Sequence, residues 1–126
     1  MAKNLFKLSR FFPDEAYENM ARQMVVNLQQ SFEKDTASYA NWLHLVLYFQ
    51  KPFYEISIVG EDYMKRAAAM QQSYLPNTVF AGARETSALS LIQNRYVPNS
   101  TLIYLCQHGS CKLPTTDITQ VLNQLH

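Results

Sequence analysis

The densest grouping of reactive side chains in this sequence is Cys106-Gln-His-Gly-Ser-Cys111. An ionised thiol is a nucleophile, two thiols can pair oxidatively, and thiolates bind soft metals, so spacing decides which chemistry is open to them. If His108-Gly109 is the tip of a tight hairpin, Gly109 supplies the positive φ that such a turn needs. Gln107 and Ser110 then close the turn. Cys106 and Cys111 face each other one step back, at a non-hydrogen-bonded position where Cβ atoms come within about 4.5–5.5 Å. That is near disulfide geometry. Three readings stay open: thiols paired or packed without function, a reversible redox pair that a reducing cytosol would leave labile, and a metal site. The metal reading uses Cys106, His108 and Cys111 and lacks the fourth ligand that zinc normally takes. The spacing is not the C-x-x-C at a helix N-terminus that lowers a thiol pKa.

Directly downstream, Leu113-Pro-Thr-Thr-Asp117 reads as a helix start. Asp117, with Gln120 three residues on, has the arrangement of a capping box, each side chain serving a backbone amide of the other's turn. Thr115 and Thr116 are available to a ligand, but nothing else in the chain supports that role. Gly60 ends one apolar run and precedes a helical one, where doubly wound folds hold phosphates. Here it is a single glycine followed by Glu61 and Asp62, whose charges suit a helix N-terminus and repel an anion. No catalytic triad emerges. His44 sits on an apolar helix, His126 is terminal, and Glu33, Asp35, Glu55, Glu61 and Asp62 read as solvated carboxylates. The chain by itself therefore reads as a non-enzyme, with no cofactor and no metal implied.

The elements that must position these residues are legible from the period of the apolar pattern. Hydrophobic residues make up 48% and aromatics 13% of 126 residues, enough for a packed interior in one domain. The formal net charge of +1 gives no basic stripe for nucleic acid. The apolar stretch from Tyr39 to Gln50 is too short to span a bilayer, and no apolar signal region follows Met1. The reading is a cytoplasmic protein without nucleic-acid or membrane partners.

Residues 1–52 read as two to three antiparallel helices: Leu5–Phe12, Tyr17–Phe32 capped by Asp14, and one from near Ser38 to Pro52. Residues 53–126 read as a βαβαβα unit. Its strands are Phe53–Val59, Thr78–Ala81 and Thr101–Cys106, and its helices are Glu61–Tyr74, Glu85–Arg95 and Asp117–Leu125. The fold class is α/β: a small three-stranded, mainly parallel sheet with flanking helices, the N-terminal helices covering one face.

The run Tyr104-Leu-Cys-Gln-His-Gly-Ser-Cys-Lys-Leu-Pro-Thr-Thr-Asp117 resembles the C-terminal signature of the large thioredoxin-domain-containing proteins of the spermatogenesis-associated and YyaL type. Cys106, Cys111, Pro114, Thr115, Thr116 and Asp117 fall on it. Glu55–Gly60 and Pro76-Asn77 match less specific positions upstream. Ile118 stands where the family often has proline, and His108-Gly-Ser differs from its usual loop. The resemblance implies the last helices of an (α/α) six-hairpin toroid plus a small α/β tail, without the thioredoxin-like domain. It implies a structural or docking module whose partner is the rest of a larger multidomain protein, or a second copy through the N-terminal helices. The alternatives are a thiol-redox element at Cys106 and Cys111 and a small-ligand binder at the strand C-termini.

Overall fold

A computed structural model describes residues 1–32 and 34–125. Glu33 and His126, read above as a solvated carboxylate and a terminal imidazole, lie outside the described residues. The chain divides into two compact units, Met1–Phe53 and Tyr54–His126, at the point where the apolar period changes.

The first unit contains α1 (Ala2–Phe11), α2 (Glu15–Phe32) and α3 (Ala40–Gln50). The Asp14 carboxylate accepts the Ala16 amide at the start of α2, offsetting one of the orphan donors of the first turn. Ala21 is fully buried on α2, and Tyr17, Met24, Val25, Leu28 and Phe32 on the same stripe are half-buried. Phe6 organises the interior. Its ring lies 4.9 Å from Phe53 and 5.1 Å from Phe49, both edge-on, and 5.4 Å from Tyr48, geometries that the aromatic quadrupole favours. Arg10 stacks on Phe6 and pairs with Glu18 of α2. Arg22 stacks on Phe49 of α3.

The second unit is a mixed four-stranded sheet in the order β2-β1-β3-β4, made of β1 (Tyr54–Val59), β2 (Thr78–Ala83), β3 (Leu102–Gln107) and β4 (Ser110–Cys111). Its helices are α4 (Tyr63–Met70) and α5 (Ile118–Leu125). Only β1 and β2 are parallel, joined through α4; β3 runs antiparallel to β1, and β4 antiparallel to β3. The three-stranded, mainly parallel sheet is thus corrected to four mixed strands.

The cause lies in residues 84–101, where the expected helix Glu85–Arg95 does not form. Thr86, Ser87 and Ser90 compete for backbone hydrogen bonds, and the Ser87 hydroxyl accepts the Leu89 amide. Asn94 and Asn99 take positive φ, and Pro98 lies between them. The segment makes only turns, over Leu89–Arg95 and again over Val97–Ser100. Without a crossover helix the chain returns along β1 in the opposite sense.

Alternation on the strands separates two faces. Ile56, Ile58, Ile103 and Leu105 pack with Met70 of α4 and Val121 of α5 in one apolar cluster. Glu55, Ser57, Tyr104 and Cys106 point to the other face; Leu91 and Ile92 of the loop are buried. Gly60 closes β1 with φ +136°. A Cβ there would lie 2.4 Å from the Ser100 carbonyl oxygen and 2.6 Å from the Thr101 Cα, so a close backbone approach, not a phosphate cradle, requires this glycine. Gly60→Ala is expected to destabilise the chain by about 2–3 kcal/mol, read as a lower urea midpoint at unchanged slope.

Candidate functional site

The hairpin at the end of β3 is built as a two-residue turn. His108 has φ 50° and Gly109 φ 77°, the paired positive values of a type I′ turn. Gln107 pairs with Ser110 and Cys106 with Cys111. The Lys112 amide donates to the Leu105 carbonyl at 2.9 Å. The cysteines therefore occupy the non-hydrogen-bonded position between two bonded pairs. They form a disulfide with Cα atoms 3.9 Å apart. Cys106 is buried and Cys111 exposed.

Arg95, the residue sequence reasoning placed at the end of a helix, lies over this disulfide. Its guanidinium nitrogens are 3.2 Å from the Cys106 Sγ and 3.2 Å from the Cys111 Sγ, and one donates to the Ser57 hydroxyl at 2.9 Å. The guanidinium carbon sits 5.3 Å from the centre of the Tyr104 ring. The Tyr104 hydroxyl donates to the Arg95 carbonyl at 2.8 Å and holds the loop in place. Burial lowers the Arg95 pKa, while Tyr104 and Glu55 act the other way; arginine's high intrinsic value keeps it a cation.

Glu55 is the other polar residue the sequence did not single out. It is 3% exposed, not a solvated carboxylate, and lies directly across from Cys106 in the β1–β3 register. Its carboxylate accepts the Gly109 amide at 3.4 Å. The legible signal for this face was the spacing of Glu55 and Ser57, two polar residues at i and i+2 in an otherwise apolar strand. Nothing in the sequence marked Arg95, because its reach depends on the loop path.

The remaining sequence-selected residues separate into a helix start and a rim. The Asp117 carboxylate accepts the Thr119 amide at 2.8 Å. The reciprocal half of the expected capping box is absent: the Asp117 amide donates to the Thr115 hydroxyl, and the Gln120 side chain accepts from that same hydroxyl at 2.7 Å. Thr115 also bridges to Ile103 of β3, so its backbone extends the sheet edge. Thr116 accepts a hydrogen bond from Arg66 and lines a hollow of about 560 Å³ at the C-terminal ends of β1 and β2. Glu61, Asp62 and Glu85 face Arg66 and Arg84 around it, so this hollow has no single-sign field to select an anion. Among the described residues no three His, Cys, Asp or Glu side chains converge as metal ligands, and none of the helices is long and apolar enough to cross a membrane. His44 stands beside Lys3 and Tyr48 in the helical unit.

No protein-family model, curated protein or solved structure matches this chain.

Replacing Tyr104 with Phe removes the hydroxyl tether to Arg95 and keeps the ring. The expected cost is about 0.5–1.5 kcal/mol, measured by urea unfolding of the oxidised chain.

Proposed function

We propose that the chain carries a reversible thiol–disulfide redox element formed by Cys106 and Cys111 and tuned by Arg95. The observation that carries this reading is the Arg95 guanidinium at 3.2 Å from both sulfurs. A neutral disulfide gains little from a cation, whereas a thiolate gains a great deal. Burying that cation costs desolvation in either state. The arrangement is therefore complementary to the ionised, reduced form and to charge developing on sulfur during exchange.

The asymmetry in burial orders the steps. An incoming thiolate attacks the exposed Cys111 Sγ. A mixed disulfide forms, the Cys106–Cys111 bond breaks, and Cys106 leaves as a thiolate beside Arg95 and the Ser57 hydroxyl. A second substrate thiolate then attacks the substrate sulfur of the mixed disulfide and releases Cys111. Two electrons pass from two substrate thiols, which leave as a disulfide, to the Cys106–Cys111 pair, and exchange in reverse reduces a substrate disulfide to two thiols while the Cys106–Cys111 bond re-forms.

The test is alkylation of the reduced chain with iodoacetamide across pH, read by peptide mass. Cys111 is expected to react with a midpoint below the ordinary thiol value of about 8.5. Arg95→Gln is expected to move that midpoint up toward the ordinary value. A midpoint unaffected by Arg95→Gln would remove the tuning role, and two thiols that resist alkylation in the folded chain would remove the redox reading.

A second reading, a docking module, is supported by the helical unit. Leu8 and Phe12 near α1 and Met20 and Val26 on α2 are exposed large apolar side chains, surface that association would cover. Self-association through α1 and α2 is its expected outcome. Sedimentation velocity over a concentration series should show a dimer that Val26→Glu weakens, and a chain that stays monomeric throughout would dismiss it.

A further inference from the structure

The register around Cys111 identifies what kind of thiol the element meets. Because Cys106 and Cys111 form a non-hydrogen-bonded pair, the backbone N–H and C=O of Cys111 point away from β3. β4 is the last strand in the sheet order among the described residues. Those two groups therefore face an open edge, next to exposed Ser110, Lys112 and Leu113. An unpaired edge donor and acceptor form a template for an added strand.

Glu55, Cys106 and Cys111 are successive partners across β1, β3 and β4, so their side chains form one row on one face. A residue added opposite Cys111 by backbone pairing continues that row. Its Cβ comes within about 5.5 Å of that of Cys111. If the residue is cysteine, its sulfur approaches Cys111 from the side away from Cys106. Displacement at sulfur needs this alignment, with attacking, central and leaving sulfurs near one line. Inward of Cys106 the row continues to the buried Glu55, the register partner of the departing Cys106. A hollow of about 200 Å³ adjoining the disulfide, lined in part by Tyr54, Gln107 and Lys112, gives room for a flanking side chain.

We infer that the substrate of this element is a cysteine in an extended peptide segment, which docks as an additional strand on the free edge of β4. This inference rests on the redox reading above. Its exchange step is that of the redox element, with the peptide cysteine as the attacking thiol and a second peptide thiol as the co-reductant.

Three thiols of matched acidity serve as probes: a pentapeptide with central cysteine, the same peptide N-methylated at cysteine, and glutathione. Each is incubated with the intact oxidised chain, and intramolecular disulfide loss is followed by mass. Cys106→Ser, which leaves Cys111 to be trapped as a stable mixed disulfide with the oxidised form of each probe, gives the second measurement. The unmodified peptide is expected to react roughly tenfold faster than either of the others, since N-methylation removes a backbone donor and disrupts edge pairing. Equal rates for all three would overturn edge docking while leaving the redox element intact. Faster reaction with glutathione would overturn it in favour of a small-molecule thiol. No reaction with any of them would overturn both.

Discussion

A guanidinium held over one face of a β-sheet is the constraint around which the C-terminal unit is arranged. Arg95 is half-buried, its pKa depressed by desolvation, and such a group persists only where polar partners surround it. Ser57, the two sulfurs, the Tyr104 ring and the buried Glu55 supply those partners. Each belongs to a strand, and each is on the same face because strand side chains alternate. The opposite face is apolar and seals against α4 and α5. The sheet thus separates an apolar side packed against two helices from a side that carries Arg95, Glu55, Ser57 and the disulfide.

The mixed topology follows from the same segment. A helix between β2 and β3 would have made a parallel crossover and carried Arg95 on a rigid rod. The irregular loop, punctuated by Asn94 and Asn99 in left-handed conformation, instead buries Leu91 and Ile92 and swings Arg95 over the end of β3. The antiparallel return of β3 places Cys106 next to Glu55, at the start of β1. A parallel β3 would have put the hairpin at the other end of the sheet, beside the Gly60 turn and away from this carboxylate.

Local signals in the sequence were informative where local physics decides. The change of period near Phe53, the Asp14 cap, the strand ending at Gly60 and the opposition of Cys106 and Cys111 across His108-Gly109 all depend on residues within one turn or one hairpin. What depends on long-range packing was not legible. Glu85–Arg95 has apolar residues at helical spacing, but its serines and threonine, with Asn94, favour turns, and tertiary burial of Leu91 and Ile92 settles the outcome. Glu55 resembled any surface carboxylate until register put it opposite a cysteine. Asp117 and Gln120 had capping-box spacing, but the hydroxyl of Thr115, already tied to Ile103, took the Asp117 amide and the Gln120 side chain, leaving only the Asp117 half of the box.

A disulfide with a cation aimed at both sulfurs should open and close without disturbing the sheet that holds it. The most direct measurement is to equilibrate the folded chain in buffers of graded reduced-to-oxidised dithiol ratio and quantify the Cys106–Cys111 bond by mass, with far-ultraviolet circular dichroism recorded in parallel. The account predicts a reversible two-electron transition, reached from either direction, with the secondary structure unchanged across it. A bond that opens only when the chain unfolds, or one that never re-forms after reduction, would contradict it.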